Sequence, residues 1–109
     1  MNKPNDIIDL LFMIKKRPGA YIGKRSIVKL KSFLDGYCCA LIYENINYNL
    51  DIYYSFNEWL AERYNINSVV LWDTYLVQKT KDEALSFDLF FEELEIFLRE
   101  NNIEIPKIN

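Results

Sequence analysis

The stretch Lys15-Lys16-Arg17-Pro18-Gly19-Ala20-Tyr21-Ile22-Gly23-Lys24-Arg25-Ser26 constrains the chain on both sides of it. Pro18 has no N–H to donate and its ring clashes with the preceding turn, so a helix arriving from the amino-terminal side must stop near Lys16. Proline also pushes Arg17 towards an extended conformation. Pro18-Gly19 is the pair favoured at the centre of a type II turn, and Gly23 offers a second flexible point. Ser26 is a good N-cap immediately before a periodic apolar run. The stretch therefore reads as a helix-to-helix connector, with Tyr21 and Ile22 as apolar pegs into the core.

On the amino-terminal side, Asn5 or Asp6 can cap a first helix through about residue 16. Ile7, Leu10, Leu11 and Ile14 fall at i, i+3, i+4 and i+7 on one face. On the other side, Ile27, Leu30, Leu34, Tyr37, Cys38, Leu41 and Ile42 mark a second helix to about residue 45, expected to be the central element. Gly36 interrupts it and suggests close approach of a neighbour. The segment 45–55, with three asparagines among tyrosines, reads as a loop carrying buried aromatics. Ser55 and Glu58 have capping-box spacing and open a short helix, broken again at 65–68.

Residues 69–77 are ambiguous in period. Their β-branched and aromatic side chains suit a strand, whereas Ser68 as a cap and helical neighbours suit a buried helix, which is the reading adopted. Asp73 inside it needs solvent or a donor. Thr80 and Glu83 repeat the capping-box spacing and open a last helix to about residue 100. Phe87, Phe90, Phe91, Leu94, Phe97 and Leu98 form its apolar stripe, and Asp88, Glu92 and Glu95 lie on another face. The tail after Asn101 is expected to fray. The expected fold class is all-α: one domain over 1–109, a compact bundle of about five helices with the Pro-Gly connector after the first.

Composition excludes several classes of chemistry. The 109 residues include no histidine, which removes the commonest general base and zinc ligand. Cys38 and Cys39 are adjacent, so they are poorly placed to bridge each other, and Cys38 lacks a histidine partner for nucleophilic work. The amino terminus does not read as a signal peptide, and no apolar run approaches the roughly 20 residues that span a bilayer. A cytoplasmic protein with no membrane role and no cofactor is expected.

Gly19 to Lys24 is one residue short of a phosphate loop, and Arg25 stands where a magnesium-holding hydroxyl belongs. Lys16 to Gly23 also resembles the amino-terminal arm of the gyrase and topoisomerase ATPase family. That likeness is local, and the family's downstream nucleotide motifs are absent, so it carries no nucleotide function. Glu92, Glu93 and Glu95 are conceivable acid/base or metal groups, but an acidic face on an amphipathic helix is ordinarily solvated or contacts a partner. Trp59 and Trp72 read as core.

Charge is divided along the chain. Residues 15–31 hold seven basic side chains and no acidic one, and residues 82–104 hold eight acidic ones against Arg99 alone. A basic run can neutralise phosphates. The net charge of −3 and pI of about 4.9 count against a dedicated nucleic-acid domain.

One ordered series of blocks spans residues 12–98. It comprises Arg17-Pro18-Gly19-Ala20-Tyr21-Ile22-Gly23, Ser26-Ile27 with Leu30, Phe33-Leu34-Asp35-Gly36-Tyr37, Phe56 with Trp59-Leu60-Ala61-Glu62-Arg63-Tyr64, Trp72, and Glu83-Ala84-Leu85 through Glu92-Glu93-Leu94 to Phe97. The series resembles a family of small bacterial proteins associated with immunity to polymorphic or contact-dependent growth-inhibition toxins. The resemblance implies a helical, cytoplasmic, non-enzymatic protein that neutralises a cognate toxin domain by tight binding. It marks no contact residues and leaves homodimerisation open. If that toxin is a basic nuclease, carboxylates can stand where phosphates would lie and speed association. Asp88, Glu92 and Glu95 are the first choice for such a face, with Glu93, Glu62 and Asp73 in reserve. The competing reading is a regulatory or adaptor domain that binds nucleic acid or protein through the basic segment 15–31.

Overall fold

A computed structural model describes residues 3–108; Met1 and Asn2, on which the signal-peptide reading partly rests, and the terminal Asn109 lie outside the described residues. The fold is all-helical, with no strand among the described residues: α1 (Ile7–Lys16), α2 (Pro18–Ile22), α3 (Ile27–Tyr43), α4 (Leu50–Tyr64), α5 (Trp72–Thr80) and α6 (Glu83–Glu100). Five of the six are long helices and α2 is a single turn and a half. The Cα radius of gyration is 13.4 Å, close to the roughly 13 Å expected of one packed domain of this length.

α1 is the most completely buried helix. Seven of its ten residues are buried, Ile8, Phe12 and Met13 in addition to the expected stripe. A helix apolar on nearly every side belongs in an interior, but the element on which α3, α4 and α5 all pack is α6, so α6 and not α3 is the central element. Asp6 caps it by accepting from the Asp9 N–H, and the Asp9 carboxylate accepts from Asn5 in return. Its amino end is tied to the α3–α4 loop, where the Ile7 N–H donates to the Tyr48 carbonyl and the Tyr48 hydroxyl donates to the Pro4 carbonyl.

The connector holds a short helix in place of the expected type II turn. Pro18 occupies the first helical position of α2, where its fixed φ fits and its missing N–H would have no intrahelical partner anyway. Gly23, at φ +88°, supplies the left-handed residue that ends the turn. Tyr21 and Ile22 pack against the core, as their apolar character suggests. Ser26 then caps α3 by accepting from the Lys29 N–H.

Along α3, Ile27, Leu30, Leu34 and Cys38 are buried, but Ile42 is 54% exposed, so the stripe leaves the core in the last turn. No heavy atom outside its own helix lies within 4 Å of where a Cβ on Gly36 would sit, so this glycine does not mark a close approach.

The largest departure from the sequence reading is α4, which begins at Leu50 and not at Ser55. The asparagines do make a turn, with Asn45, Tyr48 and Asn49 in the left-handed region, but the turn closes within six residues. Leu50, Tyr53, Phe56 and Leu60 then form a buried helical stripe, and Ser55 sits exposed inside the helix.

The ambiguous segment is helical in its second half. α5 starts at Trp72, whose N–H donates to the Asn57 side chain at 2.8 Å, so the amide of a neighbouring helix replaces the expected Ser68 cap. Asp82, not Thr80, caps α6, accepting from the N–H groups of Ala84 and Leu85 at 2.8 Å. Glu83 is free of the capping box and accepts from the Ser26 hydroxyl, 57 residues away. The α6 stripe is buried as expected, and Phe90 meets Trp72, Phe91 and Phe56 with ring centroids 4.5, 4.9 and 5.4 Å apart. The tail is irregular yet docked: Ile103, Ile105 and Ile108 pack against the core, and Lys16 Nζ donates to the Ile108 carbonyl.

Candidate protein-binding groove

α3 and α4 each pack on α5 and α6, and a groove remains between them, closed at one side by the segment entering α5. Its floor is Leu34, Cys38, Tyr53 and Trp72, all buried. Its rim is apolar and open: Ile42 is 54% exposed, Tyr43 80%, Tyr54 48% and Leu71 47%. The opening holds about 350 Å³, within the range of sites that take one large side chain or a small ligand. Isolated exposed apolar residues are ordinary, but several around one concavity mark a contact surface.

The polar groups of the groove are held neutral or paired. Burial pushes the Cys38 thiol up, with a Tyr54 hydrogen bond opposing and Asp35 adding to the rise. Burial above all raises the Tyr53 hydroxyl, and burial together with Cys38 raises that of Tyr54. At neutral pH the thiol is therefore a poor nucleophile and the phenols remain donors. Lys31 and Asp35, at one end, bind each other, with Lys31 Nζ donating to both carboxylate oxygens at 2.7 and 2.8 Å. What the groove can do chemically is bury apolar surface and offer a few hydroxyls.

The carboxylates singled out in the sequence fall in four places. Asp88, Glu92 and Glu95 line one shallow cleft between α1 and α6, together with Lys15 and Arg25. Asp88 is exposed but lies 3.2 Å from Arg25 Nε, and Glu95 lies 3.3 Å from Lys15 Nζ and 3.7 Å from Arg99. Glu92 is exposed on the same face. Glu93, only 4% exposed, faces inwards: it accepts from the Tyr64 hydroxyl, and its other oxygen stands 2.8 Å from Arg63 Nε as a charge contact out of line for a hydrogen bond. Glu62 is exposed beside Trp59, Arg63 and Glu100, with the guanidinium of Arg63 over the Trp59 ring at 5.4 Å.

Asp73 sits in the first turn of α5, where the helix dipole favours a carboxylate. Its Oδ1 is buried with no hydrogen-bond partner among the described residues.

The basic segment is engaged in a similar way. Lys15, Lys24 and Arg25 reach Glu95, Glu83 and Asp88 on α6, and Lys31 reaches Asp35. The two oppositely charged halves of the sequence are thus neighbours in space. Among the described residues no group of three or more His, Cys, Asp or Glu side chains is arranged for a metal ion, and no helix is long and apolar enough to cross a membrane.

The groove itself was not foreseen. Its signal was the run Ile42-Tyr43, whose helical positions continue an apolar stripe past the point where the core ends. Trp72 was read as core and is so, but it also floors the groove. Comparison with known protein families, with curated proteins and with solved structures finds no match to this chain.

Proposed function

We propose that this protein is a non-enzymatic immunity-type module that binds and neutralises a bacterial toxin domain, with the α3–α4 groove as its anchor. The observation that carries the reading is the open apolar rim of Ile42, Tyr43, Tyr54 and Leu71 around a 350 Å³ concavity. Aromatic side chains, tyrosine among them, in a desolvated pocket are those from which interfaces draw much of their energy. The α6 carboxylates have a secondary role. Asp88 and Glu95 are already paired within the chain, so they steer a cationic partner at long range more than they bind it.

The test is protection from the toxin domain encoded by the neighbouring gene. Co-expression with the wild-type chain restores growth. Ile42→Glu combined with Leu71→Glu, at two exposed positions that leave the circular dichroism unchanged, abolishes protection. Asp88, Glu92 and Glu95 all changed to Lys slow association at low salt but leave protection largely intact. Protection by the groove variant at the wild-type level would sink the reading. The adaptor alternative is disfavoured by the engagement of Lys15, Lys24, Arg25 and Lys31 with carboxylates; a salt-dependent gel shift of DNA or RNA by the purified chain would restore it.

A further inference from the structure

Resting on the groove as the docking surface, we infer the chemistry of its occupant: a basic segment of a partner protein, about three helical turns long, that inserts an apolar row and places its cations at the Glu44 end. The wall of the groove on α3 runs from Lys31 to Tyr43, which at 1.5 Å per residue is about 18 Å, or just over three turns. Within that length the lining charges are Lys31 and Asp35 alone, and each is the other's partner. An occupant carrying charge along its inserted face would lose hydration with nothing to meet it, so that face is apolar.

The ends are different. The Lys31 side chain is only 17% exposed while that of Asp35 is 60% exposed, so the pair turns its carboxylate to solvent. At the opposite end α3 finishes without a basic residue in its last turn, and the exposed Glu44 follows at the C-cap. The negative end of the helix dipole is therefore reinforced instead of compensated. Exposed Asp51 stands one turn before Tyr54 on α4 and adds a second negative charge beside Glu44. A neutral trough with a compensated ion pair at one end and uncompensated negative charge at the other favours an amphipathic basic segment over a neutral or acidic one.

The probes are two synthetic peptides of about three helical turns that share one Leu/Phe stripe, one with arginine and one with glutamate at the polar positions. Each is titrated into the isotope-labelled full chain, with amide chemical shifts as the readout. The arginine peptide is expected to shift α3, the start of α4 and residues 71–72. It should bind about three- to tenfold more tightly than the glutamate peptide at low salt, the range that a few exposed charge pairs supply. The difference should close at high salt. Glu44→Gln should narrow it. Equal affinities would overturn the charge inference while leaving the groove as the docking surface. No shift in the groove with either peptide would overturn both. A dimer of the chain alone in sedimentation, dissociated by Tyr43→Glu, would assign the groove to a second copy and overturn the inference.

Discussion

At the residue scale the core is an aromatic lattice centred on Phe56, which is fully buried and faces Phe90, Phe97 and Trp59 at centroid distances of 5.4, 5.6 and 5.9 Å. Its ring joins α4 to α6, and truncating it removes three aromatic contacts at once. Phe56→Ala should therefore cost about 3–5 kcal/mol in chemical denaturation. Titration gives a second residue-scale prediction. Tyr53 and Cys38 hold their protons to higher pH in the folded chain than their ordinary 10.0 and 9.0, burial being the first cause for both. The unfolded chain releases those protons first, so their contribution is intact at neutral pH, begins to be lost as pH rises past about 9 and 10, and goes on falling until the folded groups titrate. Melting temperature should be level from neutral pH to about 9 and fall above it, and Tyr53→Phe should flatten the fall. The role of Glu93 was half legible. It reads as surface because its neighbours Glu92 and Glu95 are surface; only the approach of Arg63 and Tyr64 from α4 gives a buried carboxylate its partners.

At the element scale the sequence was most informative where one local signal acted alone. Ser26 as a cap, Pro18 as a stop and the α6 apolar stripe follow from backbone chemistry and helical period, and all three are realised. Boundaries were misplaced where two local signals competed. Ser55/Glu58 and Thr80/Glu83 both have capping-box spacing, yet the first lies inside α4 and the second yields to Asp82. An aspartate one residue before the helix satisfies two N–H groups at once, whereas the Thr80 hydroxyl is taken up by the backbone of Asp82 itself. Asp82→Ala should lower stability by about 1 kcal/mol and Thr80→Ala by clearly less, measured by thermal or urea melts. The earlier start of α4 has the same origin. Asparagines were correctly read as turn residues, but the turn needs only the left-handed residues Asn45, Tyr48 and Asn49, after which Leu50 already meets the core.

At the scale of the whole molecule the division of charge becomes a brace. Lys15, Lys24 and Arg25 reach Glu95, Glu83 and Asp88, so cations around α1 and the start of α3 fasten to α6 across the core. These pairs are largely exposed, and each is worth under about 1 kcal/mol. Arg25→Asp should destabilise by no more than that, and combining it with Asp88→Arg should recover most of the loss at low salt, as a double-mutant cycle of melting curves would show. The sequence by itself determined the helical class, the connector, the α6 stripe and the opposite charge of the two halves, because helical period, proline geometry and residue type are properties of the chain read locally. Tertiary structure alone decided that those halves pair, that α1 is the buried helix, and that Ile42, Tyr43, Tyr54 and Leu71 gather around one groove. Each of these depends on which helices pack together, and residues 11 to 29 positions apart acquire a common surface only when α3, α4 and α5 have been placed.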